Sequence, residues 1–241
     1  MAVTQKRIEK NLSNIRRQIA EAARVANRSP DEVSIVAVTK TVELDTIKNL
    51  LDAGLTDLGE NRVQQLAERS GEVDAYLRRR RSELPHPVRW HMIGHLQRNK
   101  VKTTLGCSGI IHSVDSLRLA EEIDNRSEKM DKNVEVMLQV NCSQERQKFG
   151  VAVGAALHLG ELIVSLPRLR LIGLMTMGPL SPNPEDSRNS FVRLRELFEE
   201  MEKEKIGAPH FRHLSMGMSN DYPIAVQEGA TILRIGTALF E

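Results

Sequence analysis

Two parts of the chain, far apart in sequence, carry residues with chemical potential. The first is Ser34-Ile35-Val36-Ala37-Val38-Thr39-Lys40, an apolar run that stops at a lysine. A lysine on the C-terminal lip of a buried strand would have its stem against an apolar wall and its amine at a pocket mouth. Desolvation there disfavours the ammonium and lowers the pKa from its free value of about 10.4. A neutral amine attacks aldehydes to form a Schiff base. The plainer alternative is a lysine snorkelling from a strand end. The second part is a pair of loops, Ser215-Met216-Gly217-Met218-Ser219-Asn220 and Arg234-Ile235-Gly236-Thr237. Glycines admit close backbone approach, and small hydroxyls with amide N–H groups suit a dianion. The short helix expected after Ser219 would aim its positive end at the same place.

The elements between these two parts follow a regular pattern. Apolar residues at Ile8, Leu12, Ile15, Ile19, Ala22 and Ala26 mark one helical stripe over residues 4 to 27, closed by Arg28-Ser29-Pro30. The Lys40 strand follows, and then strand and helix patterns alternate. Strands are expected at 57–60, 88–94, 109–113, 134–141, 169–175, 211–216 and 231–235. Helices are expected at 43–53, from Asn61 to about Ser82 with a break at Leu84-Pro85-His86-Pro87, and at 96–105, 115–132, 154–166, 185–205 and 221–228. That gives eight strands, each followed by a helix except the last. Such alternation implies parallel pairing with right-handed crossovers. Eight units close into a single-domain (β/α)8 TIM barrel spanning residues 1–241, with an additional N-terminal helix (residues 1–30) packed on its outside. A doubly wound open sheet is the competing architecture.

Bulk properties narrow the class. The 241 residues are 40% hydrophobic and 27% charged with a net charge of +2, so neither nucleic acid nor anionic lipid is expected as a partner. Two cysteines, Cys107 and Cys142, have no metal or redox spacing, which points to reduced, cytoplasmic residence. The start has no signal-peptide core, and no apolar run approaches the roughly 18 residues of a membrane span. His91 and His95 flank a strand end without a carboxylate at helical spacing, so no metal site is expected. Arg78-Arg79-Arg80-Arg81 reads as a solvated helix end, with no aromatic groups beside it. Arg98, Lys100 and Lys102 read equally as a solvated face or as an attractor for an anionic ligand. Met175, Met177, Met216 and Met218 fall at strand ends, as core filling or as walls of a ligand site.

In a barrel of this kind functional groups sit at the C-terminal strand ends, and the loops after strands seven and eight often hold phosphate. Closure brings strand one beside strand eight, and so Lys40 beside the glycine loops. A Schiff-base lysine next to a phosphate cradle is what pyridoxal 5′-phosphate (PLP) requires.

The sequence resembles the pyridoxal-phosphate homeostasis family. The matching segments are Val36 to Thr41, Gly59-Glu60-Asn61-Arg62-Val63-Gln64, Trp90 to Lys100, Gly173 to Met177, Leu214 to Ser219 and Arg234 to Thr237, in family order over nearly the whole chain. That family is related to the barrel domain of alanine racemase. The resemblance implies Lys40 as the internal aldimine lysine, and Ser215, Gly236 and Thr237 at the phosphate. It implies Arg234 opposite the pyridine nitrogen and Asn61 close to the cofactor; Met218 and Ser219 belong to the same set. Asn220 stands where the family usually has Asp, and the family's glycine-bearing tail does not follow Glu241. An arginine stays protonated, so the ring nitrogen opposite it stays unprotonated and PLP is a weaker electron sink. A racemase also needs a second base, a tyrosine from an extra β-domain. Here Tyr76 lies in a charged helix and Tyr222 beside Pro223, the latter expected at the surface or on the phosphate side. The expectation is therefore a protein without catalytic residues that holds, buffers and delivers PLP to apo-enzymes, as a monomer or weak dimer. A racemase and a cofactor-free Schiff-base aldolase are the alternatives.

Overall fold

Strands β1 (Ser34–Val38), β2 (Asp57–Glu60), β3 (Arg89–Met92), β4 (Ile110–Val114), β5 (Val134–Gln139), β6 (Leu169–Met175), β7 (His213–Ser215) and β8 (Ile232–Ile235) close in chain order into a parallel barrel. The computed structural model describes residues 2–79, 84, 86–145 and 147–241. Closure runs through the first and last strands, with Ser34 opposite Ile232 and Ala37 opposite Ile235. The open sheet is thereby excluded. These strands are covered on both faces, which is why they read as nearly unbroken apolar runs.

The core has two parts. Val36, Ile110, Met137, Ile172, Met175 and Ile232 form one apolar cluster, on the face of the strands turned toward the barrel axis. A larger cluster joins the other strand faces to the helices. These helices are α1 (Gln5–Val25), α2 (Leu44–Asp52), α3 (Val63–Arg79), α4 (Val101–Leu105), α5 (Leu117–Lys129), α6 (Val153–Val164), α7 (Arg188–Lys203), α8 (Tyr222–Gln227) and α9 (Thr237–Phe240). Each longer one buries a stripe at helical spacing, as α7 does with Phe191, Leu194, Leu197 and Met201.

The strand positions match the sequence pattern closely, and the departures have local causes. The expected strand 211–216 shrinks to His213–Ser215, because the chain turns at Gly217, whose φ is +92°. The helix expected from Asn61 begins at Val63 and is described as far as Arg79; Arg80, Arg81, Ser82 and Pro85 lie outside the described residues. The last strand, expected to end the fold, is followed by α9, four residues that are too short to show a period. So short a helix leaves the seam between β8 and β1 uncovered. Helix α1 lies there instead, against α8, α9 and α2. Asn11 Nδ2 donates to the Leu239 carbonyl at 3.0 Å, and Tyr222 Oη donates to Gln18 Oε1 at 2.9 Å. Tyr222 is thus buried beneath α1, neither at the surface nor on the phosphate side. No helix among the described residues is long and apolar enough to cross a membrane.

Candidate functional site

A cavity of about 260 Å3 opens at the C-terminal end of the barrel. Seven of the eight expected site residues line it: Lys40, Asn61, Met218, Ser219, Arg234, Gly236 and Thr237. Val38, Thr41, Ile93, Met177 and Asn220 complete the wall. Met177 and Met218 thus face the cavity, while Met175 and Met216 are wholly buried.

Lys40 lies two residues beyond the end of β1, in a turn. It is exposed, so its side chain is not enclosed as deeply as expected. Its amine has no hydrogen bond or ion pair with any described residue. The turn itself is fixed from behind. Arg69 on α3 donates to the carbonyls of Thr39 and, at 2.8 Å, Val42, which bracket Lys40 and Thr41. Arg69 also pairs with Glu60, a wholly buried carboxylate that accepts from the Thr39 hydroxyl at 2.5 Å. No sequence pattern marks Arg69; it sits on the barrel side of an otherwise charged helix. Asn61 follows β2, and its backbone passes close over Gly94. A Cβ at Gly94 would lie 2.1 Å from the Asn61 carbonyl oxygen, so any side chain there would push Asn61 from the cavity edge.

The anion donors differ from expectation. The start of α8 is closed: Asp221 and Tyr222 donate their N–H groups to the Met218 carbonyl, and Pro223 has none to offer. The Asp221 carboxylate also lies at this end, accepting from Met218 N at 2.7 Å and from Ser187 Oγ at 2.8 Å. The converging amides belong instead to the turn into α9. Gly236 N and Ala238 N both donate to Ser219 Oγ at 3.2 Å. One hydroxyl oxygen stands where two N–H groups would otherwise face an anion. Thr237, exposed beside them, adds a hydroxyl.

Ser215 does not line the cavity. It is wholly buried inside the barrel, where Arg234 Nη1 donates to its Oγ at 2.7 Å and His112 Nδ1 lies 2.9 Å away. Arg234 Nη2 donates to the Thr176 carbonyl at 2.8 Å. Burial pulls the Arg234 pKa down to about 10 against the opposing charge of Asp221, so the guanidinium is still a cation at neutral pH. His112 Nε2 meets His91 Nδ1 at 2.9 Å, and His91 Nε2 meets Asp57 Oδ1 at 3.0 Å. His91 thus points into the barrel. His95, four residues on, stacks on Phe149 outside it with centroids 3.8 Å apart. The interior histidines had one signal in the sequence, a polar residue at an inward-facing place in an apolar strand, as in Ile110-Ile111-His112-Ser113-Val114.

Residues 10–241 match the family model described as alanine racemase, N-terminal domain. The pyridoxal phosphate homeostasis protein of Aquifex aeolicus (strain VF5) is 39% identical over 230 residues, covering 95% of each chain. The solved structure of PipY from Synechococcus elongatus PCC7942 with PLP bound superposes with a TM-score of 0.76 at 31% identity, over 92% of this chain and all of that one. Alanine racemase of Clostridium difficile 630 aligns with a TM-score of 0.75 at 12% identity, over 99% of this chain and 57% of its own, a likeness of fold.

Proposed function

The chain belongs to the pyridoxal phosphate homeostasis family, built on the barrel of the alanine racemase N-terminal domain, and from that premise we propose that it holds, buffers and releases PLP. One observation carries the reading. Lys40, whose amine has no partner among the described residues, Gly236, whose amide converges with that of Ala238, and the buried cation of Arg234 all border one cavity of about 260 Å3. Bound there, PLP supplies an aldehyde that condenses reversibly with an amine. Lys40 offers that amine on a turn whose flanking carbonyls Arg69 holds. Gly236 N and Ala238 N offer donors for the phosphate, with the Ser219 and Thr237 hydroxyls beside them. Arg234 has five N–H donors and uses two on Ser215 and Thr176, which leaves others for a neutral ring nitrogen. Met177, Met218 and Ile93 supply apolar wall for the ring.

The lining also supports a carrier over a racemase. Racemisation needs a proton-transfer group on each face of the substrate carbon, each contributing typically 10²–10⁴-fold. Lys40 and Arg234 are the ionisable side chains among the described residues of the lining, and Arg234 remains protonated. Recipient apo-enzymes are the partners this role calls for, and the cytoplasm is where they would meet. The test joins a visible spectrum before and after borohydride reduction with an amino-acid racemase assay. The reading expects a yellow protein, mass trapped on Lys40 and no turnover. A colourless protein that traps nothing refutes the PLP reading. Turnover on the order of one per second or faster refutes the carrier reading.

A further inference from the structure

Beneath the cavity, five side chains from five strands form a continuous hydrogen-bonded file along the barrel interior. Arg234 contacts Ser215 at 2.7 Å, Ser215 contacts His112 at 2.9 Å, His112 contacts His91 at 2.9 Å, and His91 contacts Asp57 at 3.0 Å. His91, His112, Ser215 and Arg234 are each at most 4% exposed. Barrel interiors of this kind are usually filled by branched apolar residues, so a polar file this long needs an explanation.

The two ends dictate the direction of every bond. The Asp57 carboxylate can only accept, so His91 carries its proton on Nε2. Burial keeps both imidazoles neutral, lowering the His91 pKa and holding that of His112 well below the usual value. A neutral His91 then accepts at Nδ1, so His112 carries its proton on Nε2 and accepts at Nδ1. The Ser215 hydroxyl donates to that nitrogen and accepts from Arg234, which can only donate. All four bonds therefore point from the cation to the anion. Each link turns its negative end toward Arg234 and its positive end toward Asp57, and bonds polarised in one sense strengthen one another. Arg89 Nε, at 2.8 Å from Asp57 Oδ1, closes the lower end.

We infer that Asp57, His91, His112 and Ser215 are positioning residues that hold the Arg234 guanidinium in the one orientation from which it meets the ring nitrogen of the cofactor. The inference rests on the PLP reading and assigns a role to groups that touch no ligand themselves. Ser215 on this account serves the ring through Arg234, where the family resemblance had placed it at the phosphate. Without the His112 acceptor, the Ser215 proton has no partner in the file. Its oxygen is then no longer held toward Arg234 Nη1, and the guanidinium is anchored at Thr176 alone.

The test is a two-by-two titration. Wild type and His112→Leu are each titrated with PLP and with the analogue in which C–H replaces the ring nitrogen. Wild type is expected to prefer PLP by about tenfold or more, the size of one charge-assisted hydrogen bond. His112→Leu is expected to lose that preference to within about twofold, the scatter of independent effects. An equal preference in both proteins overturns the inference. No preference in wild type overturns it too, because Arg234 then does not meet the ring nitrogen; tight binding of both ligands with borohydride trapping would still leave the carrier reading standing. Should His112→Leu not fold, nitrogen-detected NMR of the ligand-free wild type decides. Protons on Nε2 of both His91 and His112 support the file, and a proton on His112 Nδ1 overturns it.

Discussion

Lys40 and Arg234 border the same cavity under opposite conditions. Arg234 stands level with Val36 inside the barrel, buried, with partners on two of its nitrogens. Lys40 stands past the end of the same neighbouring strand, exposed, and its amine touches no described group. At the rim, the protein fixes the backbone and leaves the side chain alone; Arg69 holds carbonyls, never the amine. At the floor it fixes the side chain itself. The contrast suits the two tasks. An amine that must find an aldehyde, bond to it and release it has use for rotamer freedom. A cation that only orients a ring gains from having none, since ordering it beforehand removes that cost from binding.

Four experiments test this contrast between rim and floor. The largest effect is expected from Lys40→Ala, which should abolish borohydride-trapped mass entirely while leaving measurable PLP binding through the floor and the amides. Trapping that survives would move the attachment point to another lysine and remove the rim from the account.

Next is Arg69→Met. It takes the partner from Glu60, a wholly buried carboxylate. Breaking such a pair costs about 3–5 kcal/mol, read as a fall in the urea midpoint at unchanged slope. Adding Glu60→Gln should restore much of the stability but not the rate at which Lys40 captures PLP. A double variant that captures at the wild-type rate would show that the staple serves folding alone.

The third concerns pH. His91, His112 and His213 all have lowered pKa values in the fold, chiefly through burial, that of His213 falling to about 4. The unfolded chain therefore binds more protons than the folded one below about pH 6.5, and stability falls as pH drops from there toward the folded values. A wholly buried histidine contributes a slope of about 1.4 kcal/mol per pH unit in that window, and the partly buried His213 less. Urea midpoints at pH 7.5 and 5.5 check the sign, and His112→Leu should flatten the slope. A slope unchanged by that substitution would mean that the floor histidines take up protons while folded.

The smallest effect is expected from Ser219→Ala. It frees the Gly236 and Ala238 amides but removes one hydroxyl from the phosphate, so PLP affinity should fall by about tenfold, one charge-assisted hydrogen bond. A loss of a hundredfold would make Ser219 a principal anchor.

The barrel was legible in the sequence because strands buried on both faces leave continuous apolar text. Asp57–Glu60 and Leu169–Met175 were readable to the residue. The neighbourhood of Lys40, Gly236 and Thr237 followed from closure, which any eight parallel units impose. Depth was not legible. Inward-facing places alternate along a strand, but nothing in the text of β7 says whether Ser215 reaches the cavity or stays below it. The floor file joins residues 21 and 103 positions apart, and no local pattern encodes such contacts. The closed start of α8 was hidden for a similar reason: which carbonyl takes the Tyr222 N–H depends on the turn at Gly217, seen only in three dimensions.

The helix across the barrel seam has a consequence for how the molecule comes into being. On the ribosome α1 emerges well before two of the groups that seat it: Asn11 waits for Leu239, 228 positions on, and Gln18 for Tyr222, 204 positions on. Contacts this distant are slow to form, and large domains expose apolar surface while they wait. Until then the stripe of Ile8, Leu12, Ile15 and Ile19 lacks α8 and α9 as cover, a natural hold for a chaperone. In chains stalled before Tyr222, protease should cut within α1, and in chains that have emerged past Leu239 it should not.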